Sequence, residues 1–94
     1  MLNLPAKVTH DDADSIAVSL KSQIPAQGGS VVIGADQLVE FDSSALAVLL
    51  SCRRAALAAG KEFSASHLPS KLVQLATLYG VAQLLETGAA VDQS

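Results

Sequence analysis

The run Asp42-Ser43-Ser44 is the place in this sequence where side chains of the right type meet a position that gives them something to do. A carboxylate and two hydroxyls stand directly before the aliphatic stretch Ala45 to Leu50. Asp and Ser are both strong helix-starting residues, because their side-chain oxygens accept hydrogen bonds from backbone N–H groups that lack a partner in the first turn. The same N–H groups and the positive end of the helix dipole favour an added phosphate on a hydroxyl such as that of Ser43. In an apolar interface that phosphate would be poorly solvated, and Asp42 beside it would repel it, so Ser43 has the chemistry of a switch. No general base stands near Ser43 in sequence, which argues against a nucleophile.

Other candidates carry less. His10 with Asp11, Asp12 and Asp14 contains metal-ligand types, but no second cluster completes a ligand set, and acidic residues at a helix start oppose the helix dipole without any metal. His67, before Leu68-Pro69, reads as a surface loop residue. Cys52 has no His or Lys at helical spacing to lower its pKa and reads as a small core side chain. There is no Gly-rich phosphate loop, so ATP hydrolysis would have to belong to a partner. No metal and no cofactor is expected, and the scattered polar residues do not form a catalytic set.

Composition narrows the function classes. The chain has 94 residues, half of them hydrophobic and 16% charged, with a net charge of −3. That length serves one small domain. Aromatics are limited to Phe41, Phe63 and Tyr79, so the core must be aliphatic. An acidic balance without a basic stripe or a stacking set excludes an ordinary nucleic-acid binder. The single cysteine rules out an internal disulfide and points to a reducing compartment. The opening Met1-Leu2-Asn3-Leu4-Pro5 lacks the basic and apolar regions of a signal peptide, and no apolar run approaches the roughly 20 residues of a membrane span. A cytoplasmic protein is expected.

The elements that would position Asp42 and Ser43 emerge from periodicity. Residues 1–9 have room for about one strand, bent or at an edge because of Pro5. A helix is expected over about 11–24, with Ile16, Leu20 and Ile24 at helical spacing and Pro25 and Gly28-Gly29 at its end. Ser30-Val31-Val32-Ile33 reads as a buried strand, Gly34 to Gln37 as a turn or loop, and residues 38–41 as the lead into Asp42. Residues 43–59 carry the strongest helix signal, closed by Gly60. Glu62 to Ser66 alternates as a strand. Pro69 opens a further helix with Leu72, Leu75, Ala76 and Tyr79 on its apolar side and Gly80 at its end. Val81 to Leu85 is a last apolar element, and 87–94 a loose tail after a domain spanning 1–86. Alternating strands and helices predict an α/β domain.

The helix at 43–59 is apolar around most of its circumference. Ala45, Val48, Cys52, Ala55, Ala56 and Ala59 share one side, and Leu46, Leu49, Leu50 and Leu57 an adjoining arc that includes Arg53. Such a helix must be buried on more than one side, and a two-layer domain covers only one. The leucine arc lies either under a neighbouring helix or on a surface that takes a partner. Asp42, Ser43, Ser44, Leu46, Ala47, Leu50, Arg53 and Arg54 are the candidate partner-binding residues, and Ser43 the candidate phosphorylation site.

The segment Val39-Glu40-Phe41-Asp42-Ser43-Ser44-Ala45-Leu46-Ala47-Val48-Leu49-Leu50 resembles the signature of STAS domains, which include bacterial anti-sigma factor antagonists and the cytoplasmic ends of sulfate transporters. Leu68 to Val81, with its Leu-Ala-x-Leu-Tyr run, resembles MlaB-type STAS proteins. Together these segments lie within residues 30–85. The resemblance implies a small mixed β-sheet with helices packed mainly on one face, and function by protein contact. For MlaB-type proteins it implies a regulatory subunit that binds the ATPase subunit (MlaF-like) of an ABC transporter moving phospholipid between the inner and outer membranes of Gram-negative bacteria. Such a subunit sits peripherally on the inner membrane through its complex. The family's functional Ser/Thr falls on Ser43. In the sigma-factor antagonists that position is phosphorylated by a partner kinase, which gives the alternative partner, an anti-sigma factor kinase. The chain departs from the family pattern at Ala45, where Gly is common, and at Gly34, where Asp is common. It also departs in a short N-terminus that leaves only a shortened version of the usual hairpin.

Overall fold

The computed structural model describes residues 2–81. Five short strands and three helices alternate along them: β1 (Leu2–Asn3), β2 (Lys7–Val8), α1 (Ala13–Gln23), β3 (Ser30–Gly34), β4 (Glu40–Phe41), α2 (Ser44–Ala58), β5 (Glu62–Ser66) and α3 (Ser70–Leu78). The α/β architecture expected from the alternation is present. The described ladders are parallel throughout rather than mixed, and they fall into two groups, β1-β3-β5 and β2-β4.

The N-terminal segment divides between the two groups. Leu2 and Asn3 pair with Ile33 and Gly34, and the Leu4 N–H extends that ladder to the Gly34 carbonyl at 2.9 Å. Pro5 cannot donate, and beyond it the chain changes neighbour. The Ala6 carbonyl accepts the N–H groups of Val39 and Glu40, and Lys7-Val8 pairs with Glu40-Phe41. β1 and β2 therefore do not form a hairpin with each other; one strand-length segment is bent at Pro5 and serves two ladders.

Side-chain alternation places Leu2, Val31, Ile33, Phe63 and Ala65 on one face of the three-stranded sheet, with the first four buried. Asn3, Ser30, Val32 and Ser64 point to the other face and stay exposed or half-exposed. The helices cover the apolar face. Ala45, Val48, Cys52 and Ala56 of α2 are buried in one core cluster with Val31, Ile33 and Phe63. The small arc read from the sequence is thus the sheet-facing side, and its small residues permit close approach.

α1 is followed by a 3₁₀ turn over Ile24–Ala26 in which Pro25 stops the α-helical pattern. α2 and α3 end in the same way. Gly60 and Gly80 take positive φ, 77° and 72°, and the N–H groups of Lys61 and Val81 reach back to the carbonyls of Ala56 and Ala76 at 2.9 Å. These Schellman ends satisfy carbonyls that the helices leave open. Of the last apolar element expected over 81–85, only Val81 lies among the described residues; the tail at 87–94 and the boundary near 86 lie outside them.

Candidate functional site

Parallel pairing of β2 with β4 fixes the site. Val8 stands opposite Phe41, so the residues that leave the two strands, Thr9-His10 and Asp42-Ser43, emerge side by side. The C-terminal ends of parallel strands are the usual location of binding groups in α/β domains. Here the Asp42 N–H donates to the Val8 carbonyl at 3.3 Å and closes the ladder.

Asp42 organises the start of α2. Its Oδ1 accepts the Ser44 N–H at 2.8 Å, and its backbone carbonyl accepts the Ala45 N–H at 3.0 Å. Its Oδ2 accepts the His10 N–H at 3.2 Å, and His10 Nδ1 lies 3.6 Å from the same oxygen. The Ser44 backbone N–H, helped by the Ser44 hydroxyl and by the backbone and ring of His10, holds the Asp42 carboxyl below the usual carboxylate range against the opposing effect of burial. His10 Nε2 also lies 3.3 Å from Asp11 Oδ1. The imidazole therefore stands between two carboxylates in largely exposed surroundings.

The cap is thus Asp42. Ser43 already has helical φ and ψ of −63° and −14°, and its hydroxyl makes no capping hydrogen bond. Of the two capping candidates, one supplies the hydrogen bond and the other is left exposed at the corner of the domain with its oxygen available. Ser44 is half-buried behind it.

The proposed contact residues separate along α2. Ser43, Ala47 and Arg54 are exposed and Leu50 is half-buried, giving one outward stripe at positions i, i+4, i+7 and i+11, with the half-buried Arg53 on its flank. Leu46 does not belong to it. At 3% exposure it joins the core cluster, as does Leu49 at 0%, so Leu46 is removed from the contact set as a packing residue. The leucine arc is split: Leu46 and Leu49 inside, Leu50 at the boundary, Leu57 outside at 48% exposure. Arg53 and Arg54 are adjacent in sequence but about 100° apart around the helix, and only Arg54 turns toward α1. Among the described residues neither arginine has an ion-pair partner.

Sequence patterns do not connect His10 with this site. It lies 32 residues from Asp42, and no local motif spans them. The one available signal is topological: two parallel strands place the residues beyond their ends together. Cys52 is buried, and burial pushes its thiol up to about 11. Among the described residues no group of three or more His, Cys, Asp or Glu converges as a metal site, and no helix is long and apolar enough to cross a membrane.

The α/β frame, the acid-capped helix after the second parallel ladder and the exposed hydroxyl beside the cap together define a small α/β domain with its candidate site at the start of α2. The family model described as "Mlab, STAS domain" matches residues 1–86. The chain belongs to that family of STAS domains. A comparison with curated proteins finds no match.

Proposed function

We propose that this STAS domain is a non-enzymatic regulatory and assembly subunit that binds the ATPase subunit of an ABC transporter moving phospholipid between the inner and outer membranes. It would lie in the cytoplasm, held at the inner membrane by that complex. The family membership supports this class of partner. The observation that carries the reading is the outward stripe of α2, which begins at a Ser43 hydroxyl with no intramolecular capping role and continues through Ala47 and Leu50 to Arg54. Small and apolar groups with cations at the far end, all on one rigid helix, form a surface that can pack and orient a partner. Copurification with the ATPase subunit tests the reading. Ser43→Glu at the head of the stripe and Arg53→Glu on its flank, both changes to side chains outside the buried core, should weaken the association; an undisturbed complex in both variants would reject this face of α2.

A second reading is supported by the same exposed hydroxyl: an anti-sigma factor antagonist switched by a kinase at Ser43. Incubation with the candidate kinase and ATP, read by intact mass, decides it. Addition of one phosphate favours the switch, and an unchanged mass rejects it.

A further inference from the structure

α1 leads from β2 to β3 and α2 from β4 to β5, and because both strand pairs are parallel the two helices run side by side in the same direction, leaving an open groove of about 520 Å³ between them. Its walls are Ala13, Ala17 and Val18 on α1 and Ala47, Val48 and Ser51 on α2. Val18 is 65% exposed there, an aliphatic side chain with no cover among the described residues. The ends differ in charge. Asp14 stands in the first turn of α1, at the end where both helices begin; Lys21, in the last turn of α1, and Arg54 stand at the other. Among the described residues none of Asp14, Lys21 and Arg54 is in an ion pair. In a chain of net charge −3, two unpaired cations at one end of the trough form a local field of the opposite sign.

We infer that this groove seats an amphipathic helix of a partner protein, acidic in its first turn and basic in its last, lying antiparallel to α1 and α2. The inference rests on the partner-facing reading of α2 and adds the chemistry of what is bound. Two parallel helices lined with small residues offer a third helix a close seat. From Ala13 to Lys21 the trough is ~12 Å long, so about two turns of the guest would fill it. The charge pattern sets direction. An antiparallel guest brings its first turn to Lys21 and Arg54 and its last turn to Asp14. Acidic residues early and basic residues late are also what the guest's own dipole favours, so side-chain and backbone electrostatics select the same orientation.

The test places a benzophenone amino acid at Val18 and irradiates the complex with the ATPase subunit. The expected crosslink lies in a helical segment of the ATPase with acidic residues in its first turn. Lys21→Glu combined with Arg54→Glu should lower affinity about tenfold at low salt, with circular dichroism unchanged, because both side chains are exposed. A complex that keeps its affinity in the double variant and gives no crosslink from Val18, yet is weakened by Arg53→Glu outside the groove, overturns the groove while the α2 reading stands. Failure of the wild-type proteins to associate at all overturns both. A crosslink to a strand or loop of the ATPase, or to a second copy of this chain, also overturns it.

Discussion

His10 meets Asp42 twice, through its backbone N–H at 3.2 Å and its ring Nδ1 at 3.6 Å, both directed at Oδ2. The other oxygen of Asp42 is occupied by the Ser44 N–H. One carboxylate thus starts α2 and ties the loop before α1 to it, which makes Asp42 the joint of the site and leaves Ser43 as its open face.

Replacing Asp42 with Ala should lower the thermal midpoint by several degrees, because the first turn of α2 loses its cap and the His10 loop its anchor together. Asp42→Asn should lose less, because its side-chain carbonyl can still accept the Ser44 N–H. Thermal melts of the two variants followed by circular dichroism check this.

The pH dependence has a definite sign. Asp42 titrates below its ordinary value of 3.8 in the folded chain, so its ionised form stabilises the fold. That contribution is complete above the unfolded value and is lost as pH falls through the lower folded one. The stability gap between the wild type and Asp42→Asn should be constant near neutrality and shrink below about pH 4. Urea denaturation at a series of pH values measures it.

Ser43→Ala should leave stability within about 0.5 kcal/mol of the wild type, since the hydroxyl supplies no capping hydrogen bond. Its effect should appear in partner affinity. A fall in the urea midpoint equal to that of a lost cap would show that Ser43, not Asp42, holds the helix.

Leu49→Ala should cost about 2–5 kcal/mol, as a fully buried leucine does when truncated. Leu46→Asp should be worse, because it places a carboxylate in the same core. Leu57→Asp, on the exposed end of α2, should be tolerated. Urea unfolding of the three ranks them.

Cys52 should resist alkylation. With its thiol raised to about 11, about one molecule in ten thousand carries the reactive thiolate at pH 7, and the side chain is buried besides. Iodoacetamide labelling followed by mass should be negligible in the native chain and rapid in urea.

Much of the fold is legible in the residues. Pro69 and Gly60 mark helix ends because one lacks an N–H and the other adopts positive φ without strain, and β5 is visible in the alternation of Glu62 to Ser66. Pro5 foretells the bend. The limits have physical causes too. A helix apolar on most sides has no periodicity that says which arc meets the sheet, so Leu46 and Leu50 look equivalent until packing separates them. β2 and β4 are two residues each, too short to show alternation, and their pairing is what carries His10 to Asp42. Ser43 and Asp42 are equally good caps by type; the choice is made by backbone geometry, which residue identity does not encode.

The parallel ladders bear on how this domain is made as well as on how it is built. Among the described residues no strand pairs with its immediate successor across a tight turn: Leu2 waits for Ile33, and Val31 waits for Phe63. On a ribosome, α2 emerges complete before the strand that gives it a floor has been synthesised. Its outward stripe and the trough beside α1 acquire their shape only after Glu62 to Ser66 has been added, because loop closure over that distance precedes any gain from pairing. A partner that read this surface would therefore engage finished chains and pass over truncated ones.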